Sequence, residues 1–258
     1  MGAEPATLET SEDAVLGGRL RLRQPLRGHR VGHDAILLAA AAGAHAGEQA
    51  ADLGAGVGAA GLALAARVGG LNVTLVEIDP ALAGLAADNA RRNRLEDRVR
   101  AVTADAEDVQ ALASAGLQPG NIDRVLMNPP FNDARRQNVS PDPRRRLAHA
   151  GEPGLLARWV ATAAALLKPQ GVLTLIWRAD GLPEVLGALS GQFGAVAVLQ
   201  IYPRAEAPAI RVLVRAAKGA QGPQAEHPGL ILNDAGGKPT AAAEAVLRSG
   251  ETLSIAEL

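Results

Sequence analysis

Asn128-Pro129-Pro130-Phe131 is the stretch whose residue types could do chemistry. Two consecutive prolines fix φ and remove two backbone donors, so the local carbonyls act only as acceptors. Asn128 adds a side-chain carbonyl oxygen and Phe131 a flat apolar face. Such a group accepts hydrogen bonds from an amino group and stacks on a planar ring. Methylation of an exocyclic or amide nitrogen needs both, because that lone pair is delocalised into the ring or carbonyl. Two acceptors on its N–H groups draw the nitrogen toward tetrahedral geometry and free the lone pair for attack. Asn128 Oδ1 and the Pro129 carbonyl are the candidate acceptors. Pro130 stiffens the turn and Phe131 stacks on the target, with positioning supplying most of the rate. The bland alternative is a rigid strand-to-loop turn with no chemistry.

A methyl donor then has to sit nearby. Asp52-x-Gly54-x-Gly56-x-Gly58 falls on a strand-to-helix turn, where glycines admit a ligand close to the backbone and a helix N-terminus offers unpaired N–H groups. The same residues satisfy a relaxed dinucleotide pattern, Gly54-x-Gly56-x-x-Ala59. Glu77 ends the next strand, where a carboxylate can accept both hydroxyls of a ribose, and Ile78 can pack on an adenine face. Asp105-Ala106 ends the third strand, and its carboxylate suits either an adenine amino group or a helix cap. Asp79 reads as the cap of the helix after it. Dinucleotide enzymes have no need of Asn-Pro-Pro-Phe on the fourth strand, whereas amino-nitrogen methylation does.

The elements that must position these residues alternate. Strands are expected at 50–53, 71–77, 99–103, 122–127 and 172–177, with helices at 59–68, 80–93, 106–115, 152–167 and 182–192 between and after them. Two closing strands at 196–202 and 210–216, joined by a short connection, suggest an antiparallel closure. Strands alternating with helices imply a mostly parallel sheet covered on both faces, with ligands at the carboxyl ends of the strands. Ahead of this unit, 1–13 reads as a frayed leader. Residues 15–23 read as a hairpin whose Leu/Arg alternation puts Arg19, Arg21 and Arg23 on one face, a solvated face or a phosphate-touching rim. Asp34 is expected to cap a helix running to about residue 46. The turn at Gly32-His33-Asp34 either merely caps or lies over the donor. Residues 217–228 read as a linker, 230–232 as a small added strand and 240–248 as a short helix. The partition is thus 1–48, 49–217 and 218–258.

Composition narrows the chemistry. The net charge of −1 excludes a uniformly basic protein, so nucleic-acid contact must come from a local patch. Arg135, Arg136, Arg144, Arg145 and Arg146 follow the Asn-Pro-Pro-Phe stretch directly, and phosphate contacts are expected of them. His149 reads as a surface residue. The absence of cysteine excludes disulfides, thiolate metal sites and every mechanism with a Cys nucleophile. No metal, membrane or DNA partner is expected. With no apolar signal segment in 1–13 and no run of spanning length, the expected location is the cytoplasm.

Five segments carry a family resemblance: Val31-Gly-His-Asp-Ala-Ile-Leu-Leu, Asp52-Leu-Gly-Ala-Gly-Val-Gly, Val76-Glu-Ile-Asp, Asn128-Pro-Pro-Phe and Pro203-Arg-Ala-Glu-Ala-Pro-Ala-Ile-Arg-Val-Leu. Over roughly 15–216 the chain resembles class I S-adenosylmethionine-dependent methyltransferases, specifically the bacterial tRNA(1)(Val) (adenine(37)-N6)-methyltransferases. The resemblance implies a Rossmann-like α/β fold with a seven-stranded sheet, helices on both faces and an antiparallel last strand. It implies S-adenosylmethionine as cofactor, tRNA as partner and adenine N6 as target. It also places Gly32, His33 and Asp34 near the methionine part of the donor. Here His33 and Ala35 depart from the usual Gly-Thr-Asp-Gly, and Phe131 replaces the more frequent Tyr, keeping stacking and losing a hydroxyl. The competing readings are a protein-glutamine N5-methyltransferase acting on release factors, an rRNA guanine-N2 or DNA adenine-N6 enzyme, and a cofactor- or RNA-binding module without turnover.

Overall fold

The computed structural model describes residues 9–27, 30–130 and 154–257. Ten strands and seven α-helices are found among them. In chain order these are β1 (Thr10–Val15), β2 (Leu20–Pro25), α1 (His33–Ala41), β3 (Gln49–Leu53), α2 (Ala59–Arg67), β4 (Asn72–Glu77), α3 (Pro80–Arg92) and β5 (Val99–Thr103). Then come α4 (Val109–Ser114), β6 (Ile122–Met127), α5 (Leu155–Leu166), β7 (Leu167–Arg178), α6 (Leu182–Leu189), β8 (Phe193–Tyr202), β9 (Arg211–Lys218), β10 (Ala225–Ile231) and α7 (Ala241–Glu244).

The main sheet has the order β10-β8-β9-β7-β6-β3-β4-β5. Strands β5, β4, β3, β6 and β7 run parallel, β9 is antiparallel to both β7 and β8, and β10 runs parallel to β8. This is the expected Rossmann-like arrangement of seven strands with the seventh reversed, extended by an eighth. Helices α1, α2 and α3 bury one face of the sheet and α4, α5 and α6 the other, in two separate apolar clusters. Both faces being covered explains why strands such as Val125-Leu126-Met127 are apolar without alternation.

Register does the positioning. Leu53 of β3 pairs with Val76 of β4 on one side and Met127 of β6 on the other. One residue further along, Gly54, Glu77 and Asn128 therefore emerge level at the same sheet edge. The chain leaves β3 toward β4 and β5, then returns to β6 on β3's other side, so Gly54 and Asn128 flank the crevice where the winding reverses.

Several expectations need correction. Thr10–Val15 is no frayed leader: it pairs with Leu20–Pro25 across the whole length of both strands. Leu20 and Leu22 are buried while Arg19, Arg21 and Arg23 are exposed, as the alternation required. What docks the hairpin was not visible in the sequence. Asn89 Oδ1 accepts from Arg23 N (2.7 Å) and its Nδ2 donates to the Arg23 carbonyl (3.0 Å); Asn93 does the same for Arg21 at 2.9 Å each way. Asn89 on α3 and Asn93 at its C-cap, one helical turn apart, thus act as a partner strand for β2.

Helix α1 stops at Ala41 rather than near 46. Gly43 takes a left-handed φ of +56°, and a Cβ there would lie 2.3 Å from the Ala256 carbonyl oxygen, so the helix ends where the C-terminal segment packs against it. Its N-cap is Gly32, and Asp34 lies inside the first turn. The third-strand helix begins only at Val109 and is capped by Asp108, whose carboxylate accepts from Gln110 and Ala111. Asp105 instead closes a tight turn by accepting from Glu107 N. Asp79 does cap α3, as expected.

The expected linker 217–228 shortens to 219–224, since β9 continues to Lys218 and β10 starts at Ala225. β10 carries Pro228 and Gly229; an edge strand tolerates both, and its register shifts between His227 and Leu230. Beyond it, Thr240 caps α7, and a wide turn over Ala245–Ser249 leads to a segment whose Leu253 and Ile255 join the α1 core. Two arginines, Arg67 half-buried and Arg215 buried, hold this extension by its carbonyls. Arg67 donates to Val246 and Glu251, and Arg215 donates to Ile255. Burial, with Arg19 nearby, lowers Arg67 to about 10, and burial followed by Arg124 lowers Arg215 to about 10. Both remain cations at neutral pH, donating to neutral carbonyls, while the Nε of each is buried without a hydrogen-bond partner among the described residues.

Candidate active site

A cavity of about 540 Å³ opens at the carboxyl ends of β3, β4, β5 and β6, within the range of roughly 300–1,000 Å³ usual for ligand sites. Glu77 and Ile78 come from the end of β4, Asp105 and Ala106 from beyond β5, and Gly54 from beyond β3. Asn128, Pro129 and Pro130 come from the end of β6. Part of the expected donor set and the described part of the catalytic stretch therefore line one cavity.

Glu77 is 8% exposed, and both of its carboxylate oxygens are oriented by backbone donors. Oε2 accepts from Gly56 N (2.8 Å) and Oε1 from Asp79 N (2.9 Å). Each oxygen keeps a further lone pair for a ligand. The glycine turn is thus braced by the residue it was expected to serve. Gly54 at φ +69° lets its backbone lie against Trp159, whose ring edge would be 2.5 Å from an added Cβ. Gly56 and Gly58 do not line the cavity. Gly56 delivers its N–H to Glu77, and Gly58, at φ +87°, brings the turn against Leu75.

Asn128 is the group with an unmet valence. Its Oδ1 is buried and has no hydrogen-bond partner among the described residues. A buried carbonyl oxygen without a donor costs about 1–3 kcal/mol, and Asn128 lines the cavity beside two prolines that offer no N–H. A ligand bringing an amino group would complete it. Phe131 and Arg135, Arg136, Arg144, Arg145, Arg146 and His149 lie outside the described residues.

Besides Gly56 and Gly58, three more expected donor-site residues are placed elsewhere. Gly32 and His33 line a different cavity, on the far side of the first turn of α1, and only Asp34 of that trio reaches this one. Asp52 is buried behind the glycine turn, where its Oδ2 accepts from Gly61 N at 2.8 Å. It anchors the start of α2. Burial, reinforced by the Glu77 charge and opposed by the Gly61 N–H, raises its carboxyl from 3.8 to about 7.

That shift has a measurable sign. Between pH 3.8 and about 7 the native state holds a proton that the unfolded chain has released. The group therefore contributes stability at low pH, loses it as pH rises through that window, and is level above it. The drop is on the order of a few kcal/mol. Asp52→Asn keeps an acceptor for Gly61 N–H and is expected to remove this component from a plot of urea midpoint against pH. An unchanged slope would show that Asp52 is ionised throughout.

Reasoning from the sequence missed Trp159 and Arg211. Trp159 is buried, one of two tryptophans in a chain poor in aromatics, and that rarity was the available signal. Arg211, at the start of β9, donates through Nε to Asp34 (2.8 Å), closing the rim between the first turn of α1 and the reversed strand. Arg158 and Glu107 pair across the rim at 2.6 Å. Among the described residues no group of three or more His, Cys, Asp or Glu is arranged to hold a metal, and no helix is long and apolar enough to cross a membrane.

Known proteins share this arrangement. A family model described as methyltransferase small domain matches residues 30–203. The tRNA1(Val) (adenine(37)-N6)-methyltransferase of Porphyromonas gingivalis is 35% identical over 164 residues, 60% of this chain and 61% of that protein. The protein of the same description from Shewanella amazonensis is 30% identical over 229 residues, covering 86% of this chain and 91% of the relative. A release factor glutamine methyltransferase of Chlorobaculum tepidum is 32% identical over 157 residues, 58% of this chain and 52% of its own length. Among solved structures, a predicted O-methyltransferase from Agrobacterium tumefaciens superposes with a TM-score of 0.70 at 29% identity, over 85% of this chain and 97% of that one. The chain thus spans only about three fifths of the Porphyromonas relative. The family match takes in the ends of β3, β4, β5 and β6 that line the cavity, and extends over more than half the chain; the chain belongs to the methyltransferase small domain family.

Proposed function

We propose that this protein is an S-adenosylmethionine-dependent N-methyltransferase whose acceptor is an adenine N6 amine in tRNA, acting in the cytoplasm. The observation that carries the reading is the buried Asn128 Oδ1, without a hydrogen-bond partner among the described residues and level with Gly54 and Glu77 at the edge of the sheet.

The residues present fit the donor. Glu77, its oxygens aligned by Gly56 and Asp79, accepts the ribose hydroxyls. Ile78, 38% exposed on the cavity, covers an adenine face, and Asp105 accepts the adenine amino group beside the backbone of Ala106. When bound, the donor supplies a sulfonium-activated methyl group. On the acceptor side, Asn128 Oδ1 and the Pro129 carbonyl take the two N–H bonds of the target amine and turn its lone pair out of the ring plane. That amine forms the new N–C bond as the S–C bond breaks, and the resulting cationic nitrogen releases a proton to water. A target base inside a helix has first to be unstacked. On this reading residues 49–217 form the catalytic unit, with 1–48 and 218–258 as flanking parts.

The release-factor reading uses the same acceptors for an amide nitrogen, and the resemblance to the Chlorobaculum protein keeps it as the second reading. Methyl transfer from labelled donor to total tRNA, rRNA, DNA and release factor separates the two. Label is expected in tRNA, recovered as N6-methyladenosine. Label in release factor alone overturns the tRNA reading.

A further inference from the structure

A second cavity, of about 760 Å³, lies between the β1–β2 hairpin, the start of α1 and the C-terminal extension. It shares a partition with the candidate active site: His33 lines this cavity and the next residue, Asp34, lines the other. We infer that this cavity holds a single unstacked nucleotide of the RNA strand, next to the one presented to Asn128. The inference rests on the tRNA reading above.

Its lining has the chemistry of a nucleobase site. Arg30 and Arg248 are matched by Asp13 and Glu244, so the cavity is neutral in formal charge and does not select a bare phosphate. Both ion pairs are largely exposed, and exposed pairs of this kind contribute only about 0–1 kcal/mol. Either can open to lend a base edge a donor or an acceptor. Guanidinium planes stack on bases, as Phe, Tyr, Trp and His rings do in other RNA sites, and among the described residues His33 supplies the one ring on this cavity. The floor is apolar, from Leu16, Ile36 and Leu247, matching the face of a ring. The walls come from the hairpin and from the extension held by Arg67 and Arg215. Two segments outside the catalytic unit thereby acquire a common purpose.

The chain contains no cysteine, so Leu247→Cys places a single thiol on this floor. Its alkylation by iodoacetamide is measured alone, with an anticodon stem–loop RNA, with a fully paired duplex of equal length, and with inorganic phosphate. RNA binding is followed separately by fluorescence anisotropy. At about ten times its Kd the stem–loop is expected to slow alkylation about tenfold, because only the unoccupied fraction reacts. Duplex and phosphate are expected to leave the rate unchanged. Asn233→Cys, on the facing wall, serves if the first variant does not fold. Leu247→Trp, which fills the cavity, is expected to raise KM for RNA about tenfold, the cost of excluding roughly one unstacked base, while moving KM for the donor far less. Stem–loop that binds and is methylated while the thiol reacts at its free rate overturns this inference alone. Equal protection by phosphate overturns it as well, in favour of an adventitious ion only. RNA that is neither bound nor methylated overturns both this inference and the tRNA reading.

Discussion

Replacing Asn128 with alanine is expected to slow methyl transfer by about two to three orders of magnitude, the usual cost of removing one preorganised polar group from a reacting centre. Donor affinity is expected to change little, because Glu77, Ile78 and Asp105 lie on other strands. The two readouts separate the role of Asn128 from a structural one. Its Oδ1 makes no hydrogen bond among the described residues, so its removal breaks no contact there, and stability should hold or rise slightly. Single-turnover transfer, calorimetric titration with S-adenosylhomocysteine and a melting curve decide the matter together. Turnover equal to the wild type would sink the mechanism. A collapse of the melting temperature would make Asn128 a folding residue.

Gly54→Ala is expected to have the largest effect on stability. The position lies at φ +69°, a left-handed conformation that costs a residue with a Cβ roughly 1–2 kcal/mol. The new Cβ would also stand 2.5 Å from Trp159 Cη2, a buried ring with little room to turn. Overpacking of that kind adds roughly 1–3 kcal/mol, and the sum should lower the melting temperature by several degrees. Because Gly54 and Trp159 share the cavity wall, donor affinity should fall with it. Adding Trp159→Leu relieves the collision and leaves the backbone cost, so the double variant should recover part of the stability. A single variant as stable as the wild type would show that the ring is not seated on the turn.

Part of the molecule was legible in its residues because local chemistry dictates it. The strands at 99–103 and 122–127 were placed to the residue, since apolar runs bounded by turn formers leave few alternatives. Glu77, Ile78, Asp105 and Asn128 line one cavity because a parallel sheet brings strand ends to one edge whatever lies between them. The errors fall where a residue has two local uses and distant atoms choose between them. Asp34 could have been a cap; Arg211, 177 residues away, made it an ion-pair partner. Asp105 lost its cap role to Asp108, three residues on.

Asn128-Pro129-Pro130, the glycine turn and Glu77 are legible in the sequence alone as groups at the ends of strands. Tertiary structure decided what stands behind and beside them. It set Asp52 in the core rather than on the ligand and Trp159 against Gly54. It also parted His33 from Asp34, so that one helix turn divides two cavities. The reason is physical. Backbone conformation and the order of strand ends follow from short-range sterics and hydrogen bonding, which neighbouring residues carry. Which face of a side chain is buried, and by what, depends on contacts between segments far apart in the chain.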